Sequence, residues 1–120
     1  DLSKVYILTT SHTASASEAL VNGLIPYMGK ENVGLIGERT EGKNVAMKAF
    51  RNDTHGITLW PVVAYVSNAE NVGDYSDGFE PTHELIERNI IEWYPLGDTR
   101  EYLLKNAINL ITTGSIADNS

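Results

Sequence analysis

The sequence predicts an α/β domain, because short apolar runs alternate with segments of helical periodicity. Val5-Tyr6-Ile7-Leu8 has the composition of a buried strand, Ser15 to about Met28 repeats apolar residues at helical spacing, and Val33 to Ile36 is a second apolar run. A strand, a helix and a strand in this order predict two parallel strands joined by a right-handed crossover. The residues that follow each strand then lie at the carboxyl edge of the sheet, where ligand chemistry gathers in such folds.

Composition excludes several classes of function. The chain has 120 residues, enough for one domain or a piece of one, and a net charge of −7 with no long cluster of Lys or Arg. A chain with this charge lacks the positively charged surface that binds nucleic acid or an anionic membrane. No apolar run reaches the length of a membrane span. The absence of cysteine excludes a disulfide framework, a thiolate zinc site and a cysteine nucleophile.

Each predicted helix has an apolar face and a stop signal. The first helix ends at Gly29, and its predicted apolar face comprises Ala16, Leu20, Gly23, Leu24 and Tyr27. The last helix has Asp98 as its predicted N-cap, with Glu101 three residues later, and ends at Gly114. Its predicted apolar stripe comprises Leu103, Leu104, Ala107, Ile108 and Ile111.

The segment between these helices is predicted to consist of strands and a loop. Val45 to Phe50 and Ile57 to Ser67 are predicted strands joined by a polar turn that contains a glycine. Residues 68–82 hold glycine, proline and aspartates, and we expect them to form an ordered surface loop. Residues 116–120 are predicted to be a flexible tail.

Ser15 has two interpretations that rest on the same geometry. Ser15 and Glu18 have the spacing of a capping box, in which the hydroxyl accepts from a backbone N–H and the carboxylate accepts from the serine N–H. A serine at a helix start is also where a nucleophile benefits, because unpaired N–H groups and the helix dipole stabilise developing negative charge. The residues alone leave both interpretations open, and Ser11, Thr13 and Ser17 are further hydroxyls nearby.

Lys43 lies in a glycine-flanked loop directly after the second predicted strand. Gly37-x4-Gly42-Lys43 would complete a phosphate-binding loop if Ser or Thr followed, but Asn44 follows and two glutamates fall inside the loop. A nucleotide-binding domain that uses Gly37 to Asn44 is therefore the remote alternative. Ser15 and Lys43 together supply a serine nucleophile and a lysine base, provided that the lysine is desolvated enough to be neutral.

The other polar residues indicate no cofactor and no metal. His12, His55 and His83 have no partner at metal-ligand spacing and are predicted to be surface residues, although His12 is an alternative base for the serine. Asp74 and Asp77 lack the alternating acids of a calcium loop and are predicted turn residues. We therefore expect neither a cofactor nor a metal ion.

The two motifs together resemble the C-terminal processing, or tail-specific, serine peptidases. The resemblance is carried by Thr13-Ala14-Ser15-Ala16-Ser17-Glu18 and Gly37-Glu38-Arg39-Thr40-Glu41-Gly42-Lys43, and it covers most of residues 4–112. It implies a ClpP/crotonase-like α/β fold of which residues 1–115 are the C-terminal portion, with a PDZ module and the first catalytic strands upstream. The segment from Asp74 to Pro81 resembles the envelope-associated bacterial branch, which implies a periplasmic or cell-envelope location.

The resemblance also implies roles for individual residues. In these peptidases the first serine of Ser-Ala-Ser-Glu attacks, so Ser15 is the implied nucleophile and Lys43 the general base of a mechanism that passes through an acyl-enzyme. The Ala16 backbone N–H is one implied oxyanion donor, and the second comes from an upstream glycine-rich turn. Many members carry a glutamine four residues after the lysine, whereas this chain has Met47, so the third orienting group is not identified.

The main alternative is a non-catalytic peptide-binding relative of the same fold. In that protein Ser15 only caps its helix, and the cleft holds a chain terminus without cutting it. A buried Lys43 beside Ser15 favours the enzyme, and a solvated Lys43 favours the binder. For the enzyme we expect a protein or peptide substrate. Because part of the sheet and one oxyanion donor are expected upstream, we expect the isolated segment to be inactive and to associate with the upstream half or with itself.

Overall fold

The computed structural model describes residues 2–116 and is built around a three-stranded parallel sheet. In chain order the elements are β1 (Val5–Thr9), α1 (Ala16–Met28), β2 (Val33–Gly37), β3 (Val45–Met47), β4 (Phe50–Asn52), β5 (Ile57–Leu59), β6 (Val62–Tyr65), β7 (His83–Glu84) and α2 (Tyr102–Thr113). Strands β1 and β2 pair in parallel with Val5 opposite Val33, which confirms the predicted parallel pair. Strand β7 adds to the other side of β2, so the order is β1-β2-β7. The sequence did not predict β7, because two residues are too short a run to show alternation.

The two helices pack against opposite faces of this sheet. Neighbouring residues of a strand point to opposite faces, and Leu35 of β2 packs with Val21 of α1 whereas Ile36 packs with Ala107 and Leu110 of α2. All five side chains are buried. The wholly buried strand β2 therefore lies at the centre of the core and fixes the start of the loop that carries Lys43.

The buried face of α1 differs from the predicted apolar face. Leu20 is 57% exposed and Tyr27 is 80% exposed, so two of the predicted core residues lie outside the core. The helix instead buries Glu18, Val21 and Asn22. The prediction was wrong because it counted apolar residues only, whereas Glu18 and Asn22 are buried through hydrogen bonds to backbone groups of other segments.

The two strands predicted between residues 45 and 67 are each interrupted. Strand β3 pairs with β6 and β4 pairs with β5, both antiparallel, so the segment is a hairpin in two parts that is closed by the predicted polar turn. The register shifts between Ala46 and Met47, and Pro61, which has no N–H to donate, separates β5 from β6. The order strand, turn, strand was right, but the continuity of each strand was wrong.

The last helix begins later than predicted. Its N-cap is Glu101 and not Asp98, and the Glu101 carboxylate accepts hydrogen bonds from two N–H groups of the first turn at 3.1 and 2.8 Å. Asp98 pairs with Arg100 instead, and hydrogen bonds from Arg100 lower the pKa of Asp98 to about 2. The helix ends at Gly114 in the left-handed conformation, as predicted.

The predicted apolar stripe of α2 is right in part. Leu103 and Ala107 are buried, whereas Ile108 and Ile111 are exposed. The boundary between a domain over residues 1–115 and a tail over residues 116–120 stays a prediction. Most of that tail, residues 117–120, lies outside the described residues.

Candidate active site

Ser15 lies in the turn between β1 and α1 in a backbone conformation that side chains rarely adopt. Its φ is 56° and its ψ is −113°, and within residues 2–116 Asn71 is the other non-glycine residue with positive φ. Such conformations cost on the order of 1–3 kcal/mol and persist only where the surrounding structure imposes them. A residue that merely caps a helix has β-region φ and ψ, so this strain favours a functional interpretation of Ser15.

Both contacts of the predicted capping box are present around Ser15, but they are not equally strong. The Ser15 N–H donates to Glu18 Oε2 at 2.9 Å, as the motif requires. The Ser15 side chain faces the backbone N–H of Glu18, but it makes no capping hydrogen bond of acceptable geometry there. The capping contact of the hydroxyl is therefore the weaker half of the box.

Glu18 connects the serine turn to the lysine loop. Its side chain is fully buried, with 0% exposure. Besides the Ser15 N–H, its carboxylate accepts the N–H of Gly42 at 2.6 Å and the N–H of Lys43 at 2.8 Å. The preceding N–H of the loop, that of Glu41, donates to the Thr13 carbonyl at 2.9 Å. Three consecutive N–H groups of the lysine loop are thus bound by residues of the serine turn, so the two backbones are held in register.

A second segment supports the lysine loop from the other side. Thr40 is buried, its N–H donates to the Phe79 carbonyl at 3.1 Å, and its hydroxyl accepts from the Phe79 N–H at 2.7 Å. Gly42 and Gly78 both have positive φ, and a Cβ at either would overlap a backbone carbonyl oxygen of the facing segment, Ser76 for Gly42 and Thr40 for Gly78. Both glycines are required because the two backbones touch. The loop that carries Lys43 is therefore fixed between α1 and residues 75–79.

Ser15 and Lys43 line one open groove. The groove has a volume of about 460 Å³, and both residues are half-buried. The rest of its wall is mostly apolar and comprises Ala16, Ala19, Val45, Ala46, Met47, Trp60 and Val66. Ala16 is the first residue of α1, so its N–H has no acceptor within the helix and is available at the groove.

The structure does not bring every candidate group together. Among the described contacts, Ser15 Oγ and Lys43 Nζ are not hydrogen-bonded to each other. Met47 lines the groove from β3 but offers only a weakly accepting thioether. His12 lies in a separate depression with Glu38, away from this groove, so the structure does not place it as a base for Ser15.

The hydrogen bonds of the lysine loop argue against the alternative that Gly37 to Asn44 bind a nucleotide phosphate. In such a loop, free backbone N–H groups cradle phosphate and a helix follows the lysine. Here the N–H groups of Gly42 and Lys43 are already bound by Glu18, and strand β3 follows the loop. Among residues 2–116, no three His, Asp or Glu side chains form a group that could hold a metal ion.

Nine chains of solved structures resemble this chain, and two of them are proteases of known name. One is a protein of Bacteroides fragilis assigned as an S41 protease, which is 44% identical over 91% of this chain and superposes with a TM-score of 0.82. The chain belongs to the S41 peptidase family. It spans 28% of the length of that protein. No family model matches it, and no curated protein matches it.

The second structure is more distant from this S41 chain. It is the photosystem II D1 C-terminal processing protease, which is 26% identical over 69% of this chain, with a TM-score of 0.52. This chain spans 20% of that protein. The resemblance to C-terminal processing peptidases that the motifs indicated is thereby confirmed. Neither described helix has the length and apolar character that a membrane span needs.

Sequence reasoning missed part of this S41 site. It interpreted Glu18 as a local capping partner, whereas two of the hydrogen bonds to Glu18 come from residues 24 and 25 positions away. Contacts over such distances leave no periodic signal. Tyr75 was placed in a surface loop but is buried, and its ring stacks on Phe79. The available signal was the pair of glycines, Gly42 and Gly78, which mark close approaches of the backbone.

Proposed function

We propose that this chain carries the nucleophile and the general base of a serine peptidase, Ser15 and Lys43, which cleaves peptide bonds of protein substrates through an acyl-enzyme. The observation that carries the proposal is the Glu18 carboxylate, which binds the backbones of both residues and holds them at one groove. The strained backbone of Ser15 at a helix start adds support, because strain of this kind clusters at catalytic residues.

The proposed reaction needs a neutral lysine. Lys43 Nζ accepts the Ser15 hydroxyl proton while Ser15 Oγ attacks the carbonyl carbon of the substrate, and the lysine then gives the proton to the leaving amine. Water hydrolyses the resulting ester and regenerates the serine. The Ala16 N–H donates to the oxyanion of each tetrahedral intermediate. Lys43 must turn toward Ser15 for the first step, and such contacts often tighten only when substrate binds.

The groove wall suggests which substrate residue lies beside the scissile bond. Val45, Ala46 and Val66 are aliphatic, and Trp60 adds an aromatic surface. A charged substrate side chain placed against these residues loses hydration without gaining a partner, because Lys43 is the only charged residue of the described wall. We therefore propose an apolar side chain next to the cleaved bond.

We propose that the working enzyme contains further parts besides this chain. The chain spans 28% of the Bacteroides protein that it resembles. We propose that it is the C-terminal portion of a ClpP/crotonase-like domain, and that an upstream half supplies the second oxyanion donor and a PDZ module. The envelope location is proposed from the same family resemblance.

Turnover of an unstructured protein substrate by the full-length enzyme tests this proposal. Ser15→Ala removes the nucleophile and should lower the turnover number at least a hundredfold while leaving substrate binding intact. Ser17→Ala, at a serine two residues later in the first turn of α1, is the matched control and should stay active. Turnover by Ser15→Ala above a hundredth of the wild-type value contradicts the proposal. A wild-type protein that binds peptides at the groove without cutting them establishes the non-catalytic relative instead.

A further inference from the structure

Strand β3 follows the lysine loop and pairs with β6 along one of its two edges. In an antiparallel pair, successive residues of a strand direct their N–H and C=O groups alternately toward the partner strand and away from it. The Asn44 carbonyl accepts the Val66 N–H at 2.9 Å, and the Lys48 N–H donates to the Pro61 carbonyl at 3.3 Å. Residues 44, 46 and 48 therefore face β6, and the register shift, which adds a residue to β6, leaves this alternation intact.

The other edge of β3 carries four backbone groups that have no partner strand among residues 2–116. Val45 and Met47 lie opposite Tyr65 and Val62, but by the same alternation their N–H and C=O groups point away from β6. The sheet of β3 and β6 has two strands, and no loop hydrogen bond of the described chain engages these four groups. They repeat after two residues, about 6.7 Å along the strand. An edge of this kind is a template for one more strand.

The free edge of β3 runs along the groove that holds Ser15 and Lys43. All three residues of β3 line the groove, whereas no residue of β6 does. Because neighbouring side chains of a strand point to opposite faces, all three meet one groove only where it follows an edge of the strand. Ser15 and Ala16, at the start of α1, line the same groove. A chain laid along the edge of β3 therefore passes Ser15.

We propose that the substrate binds as an added strand on the free edge of β3, with its backbone paired to Val45 and Met47 and its scissile carbonyl at Ser15. This inference rests on the proposed peptidase function. Strand addition recognises the backbone of an extended chain, and pockets for alternate side chains add specificity. The substrate class is therefore an unstructured protein segment. Helices and folded sheets are excluded because their backbone groups are already paired.

Met47→Pro in the full-length protein tests the inference, because it removes one N–H of the free edge and no bond to β6. Proline is tolerated at a strand edge where its nitrogen faces away from the ladder. We expect kcat/KM for a peptide to fall on the order of tenfold relative to that for a small acyl ester, which has no backbone to pair. This is the effect of one lost hydrogen bond. Tyr65→Pro, at the far edge of β6, is the matched control and should keep the wild-type ratio.

The controls separate the backbone from the side chain and from the fold. Met47→Leu keeps the N–H, so a loss in this variant as large as in Met47→Pro assigns the effect to the side chain and overturns the inference. An equal loss in Tyr65→Pro, or an unchanged ratio in Met47→Pro, also overturns it and leaves the peptidase function standing. A wild-type protein that hydrolyses neither ester nor peptide overturns both the inference and the proposed function.

If Met47→Pro does not fold, a set of peptides with one backbone N-methyl group each decides with the wild-type enzyme. Every second N–H of an added strand points at β3. Methylation away from the scissile amide should therefore lower kcat/KM on the order of tenfold at alternate positions and much less at the positions between. A loss that does not alternate along the peptide, or no loss at any position, overturns the inference.

Discussion

At the scale of single residues, the backbone conformation of Ser15 allows a catalytic role of this residue to be distinguished from a capping role. Its positive φ is strained for any side chain and relaxed for glycine. Ser15→Gly should therefore raise the free energy of unfolding by about 1 kcal/mol. This value is the strain that glycine relieves in the folded state minus the entropy that glycine adds to the unfolded state. Ser15→Ala keeps the strain and loses only the weak capping contact of the hydroxyl, so its stability should stay within about 0.5 kcal/mol of the wild type.

Urea unfolding of the full-length protein measures both values. Ser15→Gly should be more stable than the wild type and inactive, a trade of stability for activity that is common at catalytic positions. If both variants are destabilised by about 1 kcal/mol or more, the main role of the Ser15 hydroxyl is to cap the helix.

The base role of Lys43 requires an amine that can lose its proton. Lys43→Arg should be as inactive as Lys43→Met, because a guanidinium stays protonated and cannot accept the serine proton. The measurement is turnover of an unstructured protein by each variant, with Lys48→Arg as the control on an exposed lysine five residues away. Substantial activity in Lys43→Arg would show that only the positive charge matters.

Single residues also mark the limit of what the sequence predicts about the site. Ser15 and Lys43 follow from motifs that are local in the chain, and the structure places both at one groove. The use of Glu18 as a shared acceptor does not follow, since its partners in the lysine loop are set by tertiary structure. Tyr75 lacks a periodic signal for the same reason.

At the scale of elements, the contact between the lysine loop and residues 75–79 determines where Lys43 lies. Gly42→Ala should destabilise the protein by about 2 kcal/mol or more and lower activity, because a Cβ there meets the Ser76 carbonyl in addition to the positive φ. Gly56→Ala in the hairpin turn is the matched control, with positive φ and open space around the Cβ. Gly56→Ala should lower the free energy of unfolding by about 1 kcal/mol and keep full activity.

Thermal unfolding and turnover of the two variants distinguish a close approach from backbone strain alone. Equal losses of stability in Gly42→Ala and Gly56→Ala would mean that the loop and residues 75–79 do not touch.

The secondary-structure elements were predictable from the sequence to different degrees. The parallel strands and the helix stops follow from apolar runs and glycines, whereas the buried face of α1 does not, because it is defined by the polar residues Glu18 and Asn22.

At the scale of the whole molecule, the two-part hairpin exposes a large amount of apolar surface. Its exposed side chains are Met47, Phe50, Ile57, Leu59, Trp60, Val62, Val63 and Tyr65. Exposed apolar surface of this extent is typical of an interface with another part of a protein. We therefore expect the 120-residue segment in isolation to self-associate and to show no peptidase activity, since one oxyanion donor of two is expected to be missing.

Sedimentation velocity and a fluorogenic peptide assay on the isolated segment test this expectation. Replacing Leu59 and Val63 with Thr should shift the segment toward monomer, and the exposed Leu20→Thr on α1 is the control for a general gain in solubility. A compact monomer that cleaves the peptide would show that the segment is a complete enzyme.

The covalent intermediate on Ser15 tests the central claim most directly. The full-length protein is mixed with a peptide ester whose acyl part is apolar, quenched in acid during turnover, and mapped by mass spectrometry. The mechanism gives an acyl group on Ser15 in the wild type, none in Ser15→Ala, and little in Lys43→Arg because the base is missing. Turnover with no acyl group on Ser15, or with the acyl group on Ser17, would contradict the assignment of Ser15 and Lys43 as nucleophile and base.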